Sequence, residues 1–253
     1  MADDGSSVDP GRATHLIGLV RTAVPPMHPG GRPIVGGLAV STLVLRSLLR
    51  RVGAKGAGRL VTRVGLTATA GSALFFRSPK RVTPTDVGLI VAPADGLVSL
   101  IEDASPPEEL GLDPTPRTRV SIFLSVLDVH VQRTPVTGIV THRAYRPGAF
   151  LSADLDKAST DNERNSLVIG AAGGGEIVVT QIAGLIARRI VCEIDTGSQV
   201  LAGQTYGLIR FGSRVDTYLP VGTRPAVLLG QRTIGGETVL ATLRAPGAGT
   251  GRA

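Results

Sequence analysis

From Leu89 onward the chain consists of short extended runs, and this pattern restricts the possible folds more than any other feature. β-Branched and aliphatic residues alternate with polar ones, and Gly, Pro, Asn or Asp separate the runs. Such spacing is typical of antiparallel strands in a sandwich or barrel. The predicted strands are Leu89–Ala92, Leu97–Ile101, Val120–Leu127, Ile139–Ala144, Leu167–Ile169, Ile177–Ile182, Leu185–Ile194, Gln204–Phe211, Val215–Leu219 and Ala226–Leu229.

Two glycine-rich segments, Gly197–Gln204 and Gly230–Thr238, repeat the order of short strand, glycine turn and second strand. This order is similar to the hammerhead units of lipoyl and biotinyl domains. Neither segment has a lysine at the matching tip, so no swinging cofactor arm is expected. We predict a mainly β (α+β) fold, a β-sandwich or barrel-sandwich-like domain with hammerhead-like repeats.

Two apolar segments, Ile34–Leu45 and Val64–Phe76, precede the strands and contain 12 and 13 uncharged residues. Each is shorter than the roughly 20 residues that a helix needs to cross a bilayer. The range from Pro10 to Thr85 contains 12 basic residues and no acidic residue. These features predict a membrane-associating helical hairpin that dips into one leaflet, with its arginines at anionic headgroups. Two core helices of a soluble domain are the alternative.

The net charge of +7 belongs to this N-terminal third, because Asp86–Ala253 carries 15 basic and 17 acidic residues, a net charge of −2. A nucleic-acid surface is not expected, since the basic region lacks the aromatic residues that stack on bases. No signal peptide is apparent, because the early residues are acidic and lack an apolar core. The single cysteine, Cys192, excludes an internal disulfide and predicts a buried structural thiol.

The run Tyr206–Pro220, YGLIRFGSRVDTYLP, contains two extended stretches joined by Gly212-Ser213. A bulge or kink within a strand is one interpretation of this dipeptide. The other is chemical, because glycine permits close approach to its carbonyl and a serine hydroxyl follows directly. The Ser213 oxygen could attack the Gly212 carbonyl in an N→O acyl shift. β-Elimination would then cut the chain and leave a pyruvoyl group.

The sequence FGSRVDTYLP resembles the processing site of the phosphatidylserine decarboxylase proenzymes, specifically a short, actinobacterial-like bacterial branch. The resemblance extends over about Met27–Ala241. Other stretches that carry it are Val91–Gly96, Phe123–Pro135, Asn162–Asn165, His28–Pro33 and Phe75–Pro79.

The resemblance implies cleavage between Gly212 and Ser213 and a covalent pyruvoyl cofactor derived from Ser213, with no metal. It implies decarboxylation of phosphatidylserine to phosphatidylethanolamine through a Schiff base, as a step of phospholipid biosynthesis. Asp95 would assist self-cleavage, and His130 would be the general acid that protonates the substrate carbon.

The expected partners are the anionic phospholipid substrate and the cytoplasmic face of the cell membrane, where the enzyme would be peripheral or monotopic. The cleaved chains, residues 1–212 and 213–253, would remain together as a heterodimer, and a homo-oligomer is a further alternative. We predict a flexible N-terminus over 1–31, the membrane-associating segment over 32–81, the decarboxylase domain over 82–245 and a flexible tail over 246–253.

Arg133 stands where longer members of the family carry a second histidine. The base for Ser213 during self-cleavage is therefore open between His130 and Asp95 acting through water. Asn162–Asn165 matches a family segment without an assigned role, and a polar loop is an equal interpretation.

Three other functions are alternatives to phosphatidylserine decarboxylation. One is a non-catalytic membrane-associated β-domain with a bulge at Gly212-Ser213, and another is a decarboxylase of a related serine-headgroup lipid. A serine hydrolase using Ser213, His130 and Asp95 is the third. The absence of a Gly-x-Ser-x-Gly elbow around Ser213 argues against the hydrolase.

Overall fold

The computed structural model describes residues 25–148, 161–184, 189–210 and 213–243. The chain divides into two compact units, Met1–Lys80 and Arg81–Ala253. In the first, a 3₁₀ turn at Pro29–Gly31 leads into helix α1 (Arg32–Arg51), and helix α2 (Lys55–Phe75) follows.

Local sequence explains the two helices and their close packing. A proline lies in the first turn of α1, where its missing N–H costs no hydrogen bond, and Arg50 and Arg51 lie in the last turn. Gly65 of α2 lies so close to Thr42 of α1 that a Cβ atom on Gly65 would overlap the threonine side chain. The two helices therefore form a tight hairpin.

Both helices are longer than the apolar segments, because helix continues through the basic residues that flank them. The stretch Pro29–Arg51, with 23 residues, is long and apolar enough to cross a membrane by length and composition. The expectation that α1 is too short to span counts the 12 uncharged residues Ile34–Leu45, which are only the part of α1 before Arg46. Leu48 and Leu49 extend the apolar character beyond Arg46.

The second unit contains 13 described strands. Their bounds are β1 Leu89–Val91, β2 Gly96–Ala104, β3 Arg117–Leu124, β4 Val131–Arg133, β5 Gly138–Arg146, β6 Arg164–Ala171, β7 Glu176–Ala183, β8 Ile190–Cys192, β9 Gln199–Val200, β10 Thr205–Ile209, β11 Ser213–Tyr218, β12 Arg232–Thr233 and β13 Val239–Thr242. A 3₁₀ turn, Glu108–Leu110, interrupts the connection between β2 and β3.

These strands form three antiparallel sheets. The largest has eight strands in the order β12-β2-β3-β11-β7-β6-β5-β9, a second has the order β4-β10-β8, and a third pairs β1 with β13. One buried apolar cluster contains residues from all three sheets, including Ile90, Ile122, Tyr206 and Val215. The predicted mainly β, α+β class is confirmed.

Most predicted strands are present, but the segment Ala226–Leu229 is not one. A single isolated bridge, between Pro225 and Ala241, comes just before this segment, and the chain then turns with Leu228 and Leu229 exposed. The two glycine-rich segments contribute only the two-residue strands β9 and β12. Within the predicted strand Leu185–Ile194 the described strand is β8, and 185–188 lie outside the described residues, as does the expected short helix Ser152–Lys157.

Candidate functional site

Ser213 is the first residue of β11, a strand in the interior of the eight-stranded sheet. It is paired with Leu124 of β3 on one side and with Ala183 of β7 on the other. The residue is fully buried. Its Oγ forms no hydrogen bond with any of the described residues. A buried hydroxyl without such a partner is uncommon in folded proteins and indicates strain or a chemical role.

The chain changes sheets immediately before Ser213. It leaves the three-stranded sheet at Ile209, the last residue of β10, and enters the eight-stranded sheet at Ser213. Arg210 still donates its N–H to the Arg189 carbonyl at 3.2 Å. Gly212, the predicted residue before the cut, lies outside the described residues. The predicted cleavage site therefore belongs to a crossover between two sheets.

His130 lies beside this crossover, just before β4. The Ile209 N–H donates to the His130 carbonyl at 3.4 Å, and His130 is almost completely buried. Its Nδ1 is 2.9 Å from the Asp128 carbonyl oxygen. Because a carbonyl oxygen only accepts, Nδ1 carries the proton of the neutral ring. Nε2 is thus the ring nitrogen that remains to gain or release a proton.

The loop that presents His130 is held by the Asp128 carboxylate. This group accepts from both the N–H and the hydroxyl of Ser125 at 2.8 Å, and Arg232 pairs with its other oxygen. Three donors to one carboxylate thus fix the four-residue turn from Ser125 to Asp128. Asp128 was not among the predicted site residues, although it lies two positions before His130.

Asp95 is bound through both carboxylate oxygens. Arg81 lies 2.6 Å from Oδ2, and the Gly235 N–H donates to Oδ1 at 2.8 Å. Burial raises the pKa of the Asp95 carboxyl, whereas the Gly235 hydrogen bond and the charge of Arg81 act in the opposite direction. The group is therefore closer to holding a proton than an exposed aspartate would be.

Arg133, in the position of the second family histidine, lies near Asp95. Its backbone N–H donates to Pro93, and its guanidinium donates to the Gly203 carbonyl at 2.7 Å. Burial lowers the pKa of Arg133, and the charge of Arg81 lowers it further, while Asp95 raises it. An arginine is not deprotonated in proteins, so Arg133 cannot replace the missing histidine as a base.

The three predicted residues approach one end of the large sheet from different segments. Gly96, which follows Asp95, packs against the backbone of Phe123, and the next residue, Leu124, is paired with Ser213. Strands are spaced by about 4.8 Å, so the backbones of Gly96 and Ser213 are separated by about 10 Å. Neither His130 nor Asp95 hydrogen-bonds the Ser213 hydroxyl in this geometry.

A chain of buried amides connects the sheet to His130. The Gln132 side chain donates to the His130 carbonyl at 2.8 Å and accepts from Gln181 at 3.0 Å. Gln181 in turn accepts from Asn165 at 3.0 Å. Because Gln181 is on β7, two residues before Ala183, this chain joins the backbone of His130 to the strand that pairs with Ser213. Gln132 and Gln181 were not predicted.

The segment Asn162–Asn165 is buried and is not a polar surface loop. The Asn162 amide donates to the Ala183 carbonyl at 2.8 Å, and the Ala183 N–H donates to the Glu163 carbonyl at 2.9 Å. Ala183 is the partner of Ser213 on β7. The segment therefore holds the end of β7 in register beside the predicted cleavage site.

A buried ion pair lies on the opposite face of β11. Arg214 contacts Asp216 through Nε at 2.6 Å, and both side chains are almost fully buried. The Ser121 hydroxyl accepts a further bond from Arg214 at 2.9 Å, and Arg119 lies 3.8 Å from Asp216. Arg214 directly follows Ser213, so these contacts fix the backbone on one side of the serine.

We expect Asp216→Ala to lower the free energy of unfolding by about 3–5 kcal/mol, because it leaves the Arg214 cation buried without its carboxylate partner. The matched control is Asp195→Ala. The side chain of Asp195 is 76% exposed and forms an ion pair with Arg143. That change should cost less than about 1 kcal/mol. Denaturant unfolding of both variants in detergent measures the difference, and equal losses would contradict the assignment.

The arrangement does not suit a serine hydrolase. A hydrolytic serine needs a histidine within hydrogen-bond distance and an opening for the substrate. Ser213 is instead fully buried within a sheet, and no described histidine hydrogen-bonds its hydroxyl. The geometry favours chemistry on the neighbouring backbone.

Comparison with known proteins identifies the family of the chain. The family described as Phosphatidylserine decarboxylase matches residues 70–241. A phosphatidylserine decarboxylase proenzyme of Saccharopolyspora erythraea is 61% identical over 230 residues, which cover 91% of this chain and 94% of that protein. The protein of the same name from Mycobacterium ulcerans is 54% identical over 242 residues, with coverage of 95% and 96%.

A third relative with that name, from Nocardia farcinica, is 56% identical over 230 residues and covers 90% of this chain and 92% of its own length. The matched region includes Asp95, His130 and Ser213 together with the buried amides and the Arg214–Asp216 pair. The chain belongs to the phosphatidylserine decarboxylase family.

Proposed function

We propose that this chain is a proenzyme that cuts itself between Gly212 and Ser213 and then decarboxylates phosphatidylserine to phosphatidylethanolamine and carbon dioxide. The observation that carries the proposal is the buried Ser213 hydroxyl, held between two paired strands without a hydrogen-bond partner among the described residues. The proenzyme names and high identity of the relatives support the same activity.

The surroundings of Ser213 fit a pyruvoyl group made from that residue. Its hydroxyl is not engaged elsewhere in the described structure, so no hydrogen bond must break before it attacks a carbonyl. Pairing on both sides holds the backbone at 213 while the adjacent residue, glycine, lacks a Cβ that would block the attack. Once formed, the ketone would supply an electrophilic carbonyl for the substrate amine and an acceptor for the electrons released with carbon dioxide.

Self-cleavage balances without an external oxidant or reductant. The Ser213 Oγ bonds to the Gly212 carbonyl carbon, and the C–N bond between the two residues breaks to give an ester. Removal of the Ser213 Cα proton expels the oxygen, which leaves as the carboxylate of Gly212. Water then replaces the nitrogen on the unsaturated residue, releasing ammonia and leaving the ketone.

Within this proposal, His130 holds and delivers the catalytic proton. Its Nδ1–H is committed to the Asp128 carbonyl, so the proton moves at Nε2. The Asp128 contacts and the Gln132 amide fix the loop that carries the ring, which limits rotation away from the site. Asp95 is proposed to assist cleavage from the adjacent segment, with its carboxylate oriented by Arg81 and Gly235.

The cleaved chains would stay together. Residues 213–253 supply β11, which is hydrogen-bonded on both sides to strands of the other chain, and also β12 and β13. Val215 and Leu240 of this piece belong to the main buried cluster. Its removal would expose the centre of the largest sheet, so we propose a stable heterodimer.

The activity is tested with phosphatidylserine labelled in the headgroup carboxyl carbon. Purified protein should release the label as carbon dioxide and form one phosphatidylethanolamine for each molecule released. Release no faster than that of the uncut Ser213→Ala variant would contradict the proposal. Release from a different serine-headgroup lipid, without reaction of phosphatidylserine, would favour the alternative decarboxylase.

We also propose peripheral or monotopic attachment to the cytoplasmic face of the membrane. Helix α1 is long enough to cross, yet the closed end of the hairpin carries a dense set of cations, among them Arg50, Arg51 and Lys55. Moving such groups through hydrocarbon costs about 2.5–3.5 kcal/mol each on insertion scales. Several of the large apolar side chains on both helices are exposed and are available for one leaflet.

Washing membranes with high salt should therefore release little protein, because the apolar side chains stay buried when the headgroup attraction is screened. Detergent should release it. The measurement is the partition of the chain between supernatant and pellet after each treatment. Recovery in the soluble fraction without detergent would show that the hairpin does not hold the protein on a membrane.

A further inference from the structure

A cleft of about 540 Å³ opens between α1 and α2 near the closed end of the hairpin. Five cations line it: Arg46, Arg50, Lys55, Arg59 and Arg63. None of them forms an ion pair with a carboxylate in the part of the chain that the structure describes.

Helix geometry explains why these cations converge. Arg46 and Arg50 are four residues apart on α1, and Arg59 and Arg63 are four residues apart on α2, so each pair lies on one helix face. The buried Gly58 lies at the packed side of α2, where a Cβ would be 3.8 Å from Leu49 of α1. Close packing of the helices therefore brings both rows of arginines to the same cleft.

This arrangement is unfavourable without an anion. Like charges four residues apart destabilise a helix by about 0.2–0.5 kcal/mol per pair, and the two rows also face each other. No Asp or Glu occurs between Pro10 and Thr85, so the cleft has no carboxylate of its own. Arginine forks match the oxygens of a phosphate group in a bidentate geometry.

Large apolar side chains are exposed on both helices of the hairpin. Leu43 and Leu48 of α1 are 62% and 52% exposed, and Leu60 of α2 is 63% exposed. A ligand that satisfies both the cations and these side chains must carry an anionic head and hydrocarbon chains. A polynucleotide has no aromatic side chain to stack on between Arg32 and Leu74.

We propose that this cleft is a binding site for the phosphate headgroup of one anionic phospholipid, separate from the decarboxylation site. Its phosphate lies among the arginines, and its acyl chains lie along the exposed leucines. The site rests on the proposed membrane attachment, and it does not depend on decarboxylation. Occupancy holds the basic end of the hairpin at headgroup level and keeps it from passing through the membrane.

The test uses phosphatidylglycerol, which has no amine or carboxylate and so cannot be decarboxylated. Native mass spectrometry of the full protein, released from micelles containing equal amounts of phosphatidylglycerol and phosphatidylcholine, should show one phosphatidylglycerol bound. The variant Arg59→Gln/Arg63→Gln should retain at least about tenfold less of it, since each basic group near an anionic lipid contributes on the order of 1 kcal/mol.

Two matched variants separate the cleft from general attraction. Arg32→Gln/Arg51→Gln removes two cations of the same hairpin that do not line the cleft, and it should keep the bound lipid. Arg59→Lys/Arg63→Lys keeps both charges but loses the two guanidinium forks, so it should retain less lipid than the parent protein and more than Arg59→Gln/Arg63→Gln. Equal loss of lipid in the two glutamine variants would show diffuse charge attraction. Binding by the lysine variant as weak as that of Arg59→Gln/Arg63→Gln would show that the charges at 59 and 63 do not contribute. Either result overturns the site.

Competition with inorganic phosphate or glycerophosphoglycerol distinguishes a lipid headgroup from a soluble phosphate as the bound anion. Neither should displace phosphatidylglycerol at a tenfold excess, because neither contacts the exposed leucines. Displacement by either compound would show a site for soluble phosphates and would overturn the assignment to lipid. If phosphatidylglycerol binds but labelled phosphatidylserine is not decarboxylated, the proposed function fails while the cleft stands.

Discussion

Ser213→Ala is expected to leave the chain as one uncut species and to abolish decarboxylation to the background rate. Alanine has no oxygen to attack the Gly212 carbonyl, so neither the ester nor the ketone can form. The fold should persist, because Ser213 makes no side-chain hydrogen bond to any described residue. Electrophoresis and carbon dioxide release measure the two effects on the same preparation.

The control is Ser198→Ala, which changes a serine in another Gly-Ser dipeptide. Ser198 follows Gly197 in a turn before β9, and its hydroxyl accepts from the Asp195 N–H at 3.0 Å. It lacks the paired strands on both sides that hold Ser213. Normal cutting in Ser198→Ala with none in Ser213→Ala would assign self-cleavage to Ser213. Normal cutting in both variants would show that Ser213 is not the nucleophile.

His130→Ala and Asp95→Asn should separate decarboxylation from self-cleavage. Loss of the proton donor at His130 should lower carbon dioxide release per cut chain by about 10²-fold or more. It could also slow cutting, because Arg133 does not substitute for the missing second histidine as a base. Only cut chains can decarboxylate. The fraction of cut chains and the carbon dioxide released must therefore both be measured in each preparation.

Asp95→Asn should leave mostly full-length protein. Asparagine keeps an oxygen for the Gly235 N–H but loses the negative charge that faces Arg81, so it cannot accept or hold a proton. His142→Ala is the control for both variants, since His142 is exposed on β5. Unchanged carbon dioxide release per cut chain in His130→Ala would exclude His130 from the decarboxylation step.

The repeating extended runs were sufficient to predict the fold class, because period-two alternation of side chains is a local property of strands. The helix ends were not predictable from the apolar runs, since helix continues through arginines that remain exposed. Ala226–Leu229 has strand-like composition but no second strand to pair with beyond one bridge at Pro225. Strand pairing depends on residues that are distant in sequence, so the composition of one segment does not predict it.

The candidate site also combines features that are local in sequence with contacts that form only in the fold. Gly212-Ser213 is predicted from the chemistry of the dipeptide and its flanking run, and His130 and Asp95 are predicted from the family resemblance of the stretches that contain them. Gln132 and Gln181 are ordinary strand residues in sequence, and only their pairing across sheets reveals the amide chain to His130. Asn162 has a role at Ala183 because two segments 21 residues apart meet beside Ser213. Sequence spacing contains no information about that contact.

The measurement that tests the central claim most directly is the intact mass of purified, active protein. Two chains are expected, residues 1–212 and residues 213–253, copurifying as one complex. The second chain should be lighter by one ammonia than the product of simple hydrolysis, because a ketone replaces the amino group of Ser213 and its hydroxymethyl side chain becomes a methyl group. A single species with the mass of all 253 residues, in a preparation that decarboxylates phosphatidylserine, would contradict the account.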